Sequence, residues 1–229
     1  PHTPLAADDM EGRETGTPGE MKAAQYIITR MKAIGLSPKG DSTSYLQHYT
    51  KQIKSNPHDD MPSEDDPIIN GYNVIGYIDH FAQKTIVLGA HYDHLGIVKA
   101  VEGDSIANGA DDDASGTTAV IELAKYYKKL NNNERTLIFV AFTAEEVGGF
   151  GSRYFSSKLN PDDVVAMFNI EMIGKESKFG KNNAFITGYE RSDFGEILQR
   201  NLEGTDFKFY PDPYPSQNLF YRSDNATLA

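Results

Sequence analysis

An α/β fold, with strands alternating with helices about a buried sheet, is predicted by three features of the sequence. Short apolar runs stop abruptly at imidazole or acid. Val87-Leu88-Gly89-Ala90 runs into His91-Tyr92-Asp93-His94, Phe139-Val140-Ala141-Phe142 into Thr143-Ala144-Glu145-Glu146, and Met167-Phe168-Asn169-Ile170 into Glu171. Stretches of helical periodicity separate these runs. The length of 229 residues suits one α/β domain with a substantial core.

In chain order, a helix is predicted from about Glu20 to Gly35. Met21, Ala24, Tyr26, Ile27, Met31 and Ile34 keep helical spacing, with Thr17 and Pro18 as cap and first turn. Tyr45 to Ile53 alternates like an amphipathic strand, and Lys54 to Asp66 is a polar loop. Gly71–Ile78 and Lys84–Gly89 read as a strand pair about Asp79-His80. An acidic loop, Glu102 to Asp113, leads to a helix over Ser115–Leu130. Its buried face is Val120, Ile121, Leu123, Ala124 and Tyr127. Thr136–Phe142 is a continuous apolar strand of the kind covered on both faces. A short helix through Tyr154 and Phe155 follows, then a buried strand at Val164–Ile170 and another at Asn183–Thr187. Ser192–Leu202 is helical, Phe207–Tyr210 a short strand, Asp212–Ser216 a Pro-rich loop, and a helix starts after Asp224.

Composition narrows the function. A net charge of −11 with no basic cluster argues against a nucleic-acid partner. The absence of cysteine excludes disulfides, thiolate metal sites and cysteine nucleophiles. No apolar stretch approaches the ~20 residues of a membrane helix. The opening Pro1-His2-Thr3-Pro4 reads as a cut or mature end. Export, or a periplasmic location, is the expectation if the precursor carried a signal.

The residues after the apolar runs suggest a metal hydrolase. His91 and Asp93, two apart on extended chain, point the same way, so either both ligate or the carboxylate orients the imidazole. His94 is read chiefly as a loop histidine. Asp111-Asp112-Asp113 precedes a helix N-terminus, where one carboxylate would suffice as a cap. Three adjacent ones call for a cation, and a shared carboxylate can bridge ions about 3.5–4 Å apart. Glu145 and Glu146 divide labour, one binding metal and the other free to move a proton. Glu171 ends its strand in the same way.

Four ordered strings carry a family resemblance: Gly89-Ala90-His91-Tyr92-Asp93-His94-Leu95-Gly96, Gly109-Ala110-Asp111-Asp112-Asp113-Ala114-Ser115-Gly116, Phe142-Thr143-Ala144-Glu145-Glu146 and Asn169-Ile170-Glu171-Met172-Ile173-Gly174. With Glu11-Gly12-Arg13, Gly16-Thr17-Pro18-Gly19-Glu20 and Gly151-Ser152-Arg153-Tyr154-Phe155, they make the chain resemble the co-catalytic two-zinc exopeptidases of peptidase family M28, relatives of bacterial leucyl aminopeptidases. The resemblance implies a mixed, largely buried central sheet flanked by helices on both faces, of the phosphorylase/hydrolase-like type. It implies two Zn2+ ions and a peptide substrate. His91 would bind the first zinc, Asp112 bridge both, Glu146 bind the second and Glu171 complete the first, with Asp93 behind His91. Glu145 would be the general base, taking a proton from a bridging water and passing it to the leaving amine.

Two departures modify that expectation. Aminopeptidases of the family usually carry Asp where Glu171 stands. The family's last ligand, a histidine beyond Arg222-Ser223-Asp224, has no counterpart, and His2, His48, His58 and His80 lie in no matching motif. The second zinc site is therefore expected to be weakened and this chain itself inactive. Residues 1–229 are expected to be a single incomplete zinc-peptidase domain whose late strand and closing helix are lost or supplied by a complementing chain. Rival readings are a glutaminyl-peptide cyclase or carboxypeptidase of the same fold, or an inert peptidase-like binding domain.

Overall fold

The computed structural model describes residues 4–55, 61–80 and 84–228. The chain's opening and the middle of the predicted 54–66 loop lie outside them, as do His2 and His58. The elements are α1 (Pro18–Ile34), β1 (Ser37–Pro38), β2 (Leu46–Gln52), β3 (Ile68–Ile78), β4 (Thr85–His91), β5 (Ile97–Val101), β6 (Asp104–Ile106), α2 (Ala114–Leu130), β7 (Thr136–Phe142), α3 (Phe150–Ser157), β8 (Val164–Asn169), β9 (Asn183–Ile186), α4 (Phe194–Asn201) and β10 (Lys208–Pro211). Among the described residues, no helix is long and apolar enough to cross a membrane.

The predicted caps form. The Thr17 hydroxyl accepts from the Glu20 amide and Pro18 opens α1. Gly35 closes the helix at φ 84°, a left-handed conformation that glycine adopts without strain.

Six strands form a mixed sheet in the order β1-β3-β7-β4-β8, with β2 also paired to β3. The predicted pairing of Gly71–Ile78 with Lys84–Gly89 is corrected here. β7 lies between them, antiparallel to β3 and parallel to β4. The most apolar strand takes the centre because its residues bury on both faces, and all seven are buried. Leu137, Phe139 and Ala141 enter one core with α1 and α2, including Ile27, Met31, Val120 and Ala124. Ile138, Val140 and Phe142 enter a second core with Phe155 of α3. Helices thus cover both faces.

The Val164–Ile170 strand forms but is only half-buried, since β4 is its one sheet partner among the described residues. The Asn183 and Phe207 strands do not join this sheet. They pair in parallel as a separate two-stranded ribbon, β9–β10. An unforeseen hairpin, β5–β6, runs into the start of the acidic 102–113 loop; its short, irregular strands lack the alternation that would reveal them.

β7, β4 and β8 are parallel, with His91 opposite Phe142 and Gly89 opposite Asn169. Their carboxyl ends therefore share one edge of the sheet, the usual position of α/β active sites. α2 starts at the same edge. Its Gly116 is obligatory, because a Cβ there would lie 1.9 Å from the Ile170 carbonyl oxygen.

Candidate metal centre

His91 is the last residue of β4 and is 1% exposed. Its Nδ1 faces the Asp93 carbonyl at 3.1 Å, and its own carbonyl accepts from Thr117 Oγ1 at 2.7 Å. With the proton on Nδ1, the lone pair of Nε2 points at Asp112 Oδ1, 3.0 Å away. Nε2 is buried and, among the described residues, has no partner in hydrogen-bond geometry. Two acceptors face to face at that distance suit a cation coordinated by both. Without an ion, burial opposes charging the ring, but Asp112 and Asp93 outweigh it and hold the imidazole well above its ordinary value, so a proton shared towards Asp112 stands where a cation would. The same contact depresses Asp112.

The three adjacent aspartates have separate tasks. Asp113 caps α2, its Oδ1 accepting from the Gly116 amide at 3.0 Å and from the Met172 amide at 3.1 Å. Asp111 Oδ1 accepts from the Gly174 amide at 2.8 Å, and its Oδ2 lies 3.4 Å from Lys175 Nζ. Asp112 alone turns into the site. Two of the three carboxylates thus hold the turn after Glu171.

Asp93 is fully buried. Its carboxylate is 3.6 Å from His91 Nδ1, too far for a hydrogen bond. It accepts instead from the amides of Glu145 (3.1 Å) and Glu146 (3.3 Å) and from Thr15 Oγ1 (3.1 Å). Asp93 therefore fixes the turn carrying both glutamates. Ala144, left-handed at φ 59°, starts that turn.

Two donor groups result. One atom each from His91, Asp112 and Glu171 lie within 4.8 Å of one another, and so do atoms from His94, Asp112 and Glu146. Asp112 belongs to both. The donors are imidazole nitrogen and carboxylate oxygen, a set that fits zinc. Glu171 is steadied by the Ser223 hydroxyl, which donates to its Oε2. Glu145 joins neither group. Burial, with Asp224, Glu171 and Asp93 nearby, pushes its carboxyl up to about 8 against the pull of His91.

Sequence reasoning gave His94 little weight and missed three supports. His94 Nδ1 lies 2.6 Å from Glu146 Oε1, and its i,i+3 spacing from His91 was the available signal. Asp224 is buried and raised to about 7 by that burial. His91 and Ser152 pull it the other way, yet neither oxygen has a partner in hydrogen-bond geometry among the described residues. Arg13 is wholly buried, donating Nε to the Tyr92 carbonyl at 2.7 Å, Nη1 to the Leu5 and Asn108 carbonyls, and Nη2 to the Gly109 carbonyl at 3.0 Å. It ties the end of β4 to the loop carrying Asp112.

Glu20, 1% exposed, is the third. It accepts from the Gly16 amide at 2.7 Å, from the Thr143 hydroxyl and from Tyr92 OH at 3.3 Å. Burial raises its carboxyl from 4.5 to about 7. The native state thus holds this proton more tightly than the unfolded chain. The associated stability is complete below pH 4.5 and is lost as pH rises to about 7. Glu20→Gln is expected to flatten that decline by about 3 kcal/mol across the window. Urea denaturation of both proteins at a series of pH values measures it.

Comparison with known proteins gives the same direction. The family model described as Peptidase family M28 matches residues 73–229. Leucine aminopeptidase 1 of Emericella nidulans is 35% identical over 111 residues, 45% of this chain and 28% of that protein. A probable zinc metalloprotease of Leptosphaeria maculans is 32% identical over 169 residues, 72% of this chain and 37% of that protein. The chain thus spans about a third of the length of these curated relatives. Among solved structures, a glutaminyl cyclase of Porphyromonas gingivalis shares the fold with a TM-score of 0.66 at 16% identity, covering 98% of this chain and 75% of that one.

Proposed function

Because the chain belongs to peptidase family M28, we propose that it provides the catalytic centre of a zinc-dependent aminopeptidase that releases N-terminal residues from peptides using two metal ions. The observation that carries this reading is the sharing of Asp112 between two donor groups, beside a buried His91 Nε2 that has no hydrogen-bond partner among the described residues. His91, Asp112 and Glu171 would hold one zinc, and Asp112 and Glu146 the other. Bound zinc polarises the scissile carbonyl and acidifies water.

Glu145 is free of both groups and serves as general base, taking a proton from the attacking water and handing it to the leaving amine. Its burial keeps it a good proton acceptor, while cations beside it would draw its value down from about 8 towards the working range. Asp93 positions it through the Glu145 amide. The raised carboxyls of Glu145 and Asp224 reflect buried acids whose charge His91 only partly offsets, and divalent ions would relieve this.

Metal-free protein titrated with zinc tests the reading. At ~100 times its Kd, each ion is expected to add about 2.7 kcal/mol of stability, raising Tm by ~5–10 °C. Zinc should restore hydrolysis of aminoacyl p-nitroanilides. Cyclisation of N-terminal glutaminyl peptides without p-nitroanilide hydrolysis would instead establish the cyclase, and failure to take up zinc the inert binding domain.

A further inference from the structure

We propose that Glu20 is a positioning residue for the general base, holding in place the turn that carries Glu145; this rests on the reading of Glu145 given above. Glu20 sits in the first turn of α1, three residues after the Thr17 cap. A glutamate at that position commonly closes a capping box by accepting from the backbone N–H of the cap residue. This one does not. The Thr17 amide donates to the Glu14 carbonyl at 3.1 Å, and Glu20 is 1% exposed. Its Oε1 meets the Thr143 hydroxyl, 123 positions away, and Tyr92 OH, 72 positions away, while Oε2 accepts from the Gly16 amide. A helix cap requires no such distant partners.

Each partner adjoins one support of the catalytic turn. Thr143 follows the last residue of β7 and precedes the left-handed Ala144, with Glu145 next. Tyr92 lies between His91 and Asp93, and Asp93 accepts from the Glu145 and Glu146 amides. Gly16 follows Thr15, whose hydroxyl donates to the same Asp93 carboxylate. One carboxyl thus joins the 15–16 loop, the end of β4 and the end of β7. Neither Glu20 nor any of its three partners belongs to a donor group, so no metal donor is lost with it.

Glutamine can keep this geometry. Its carbonyl oxygen accepts from the Gly16 amide, and its NH2 group donates to the Thr143 and Tyr92 hydroxyl oxygens. Burial, with Asp93 nearby, raises the acid to about 7 against the pull of its donors. Below that value the uncharged amide resembles the native group. Alanine keeps none of the three bonds.

The first test is amide hydrogen exchange of the metal-free protein, followed by NMR. Glu20→Ala is expected to speed exchange at the Glu145 and Glu146 amides at least ~10-fold more than at the central amides of β7, which report global opening. Glu20→Gln should restore the wild-type rates. A residue that only adds stability would raise both sets by the same factor. Thr143→Val removes the hydroxyl partner alone and should give the same selective acceleration, which keeps the test decisive if the alanine variant does not fold. In the zinc-loaded protein, Glu20→Ala should lower kcat ~10–100-fold with KM changed less than ~3-fold. Glu20→Gln should recover the rate, and Glu20→Ala should cost little more once Glu145 is glutamine.

Equal acceleration at both sets of amides, or no recovery by glutamine, would overturn the inference and leave the aminopeptidase reading standing. Full kcat in Glu145→Gln would overturn the base reading and this inference with it.

Discussion

Replacing Glu145 by glutamine is expected to lower kcat by ~10²–10⁴-fold, the usual contribution of a positioned general base, with KM nearly unchanged and zinc content intact. The carboxylate belongs to neither donor group, so removing its charge leaves the ligands in place. Its backbone amide still reaches Asp93, so the turn should keep its shape. Steady-state kinetics on an aminoacyl p-nitroanilide, with zinc measured on the same sample, checks both halves. Loss of metal together with activity would mean that Glu145 is a ligand and that the base lies elsewhere.

The second large effect is expected at Asp112. Asp112→Ala removes the one residue common to both groups, so affinity should fall at both by more than the ~10–100-fold of an outer partner. The zinc-dependent rise in Tm should disappear. Asp111→Ala and Asp113→Ala act differently, because their carboxylates are engaged by amides of the 172–174 turn and of α2. Losing a cap costs ~0.5–2 kcal/mol. Isothermal titration with zinc separates a lost ligand from a weakened scaffold. If Asp112→Ala bound two ions as tightly as wild type, the shared-carboxylate centre would be refuted.

Much of this was legible because local rules and packing agree. The continuous apolar run of β7 could only be a central strand, and the spacing in α1 and α2 leaves one stripe for the core. The convergence of His91, Asp112, Glu146 and Glu171 follows from parallel strands ending at one edge. Strand partnership was not legible, since β3 and β4 adjoin in sequence but are separated by β7, inserted from 45 residues beyond β4 through a crossover that no local signal reveals. Nor did the polar sequence disclose that Asp111 and Asp113 would be spent on backbone amides. Arg13 stands out only as part of a motif string, because three of its four carbonyl partners lie 79, 95 and 96 positions away. His94 was discounted because one histidine on a loop is uninformative until Glu146 is placed beside it.

The hydrogen bonds around the aspartate run divide the centre into two halves. Asp112 and Glu171 travel together, since the amides of Met172 and Gly174 hang on their neighbours Asp113 and Asp111. His91, Glu145 and Glu146 form the other half, gathered by Asp93, and His94 joins it through Glu146. Each donor group draws on both halves. A divalent ion held at either position would act as a rivet across this seam, beside the Arg13 side chain and the Thr117 hydroxyl that already span it.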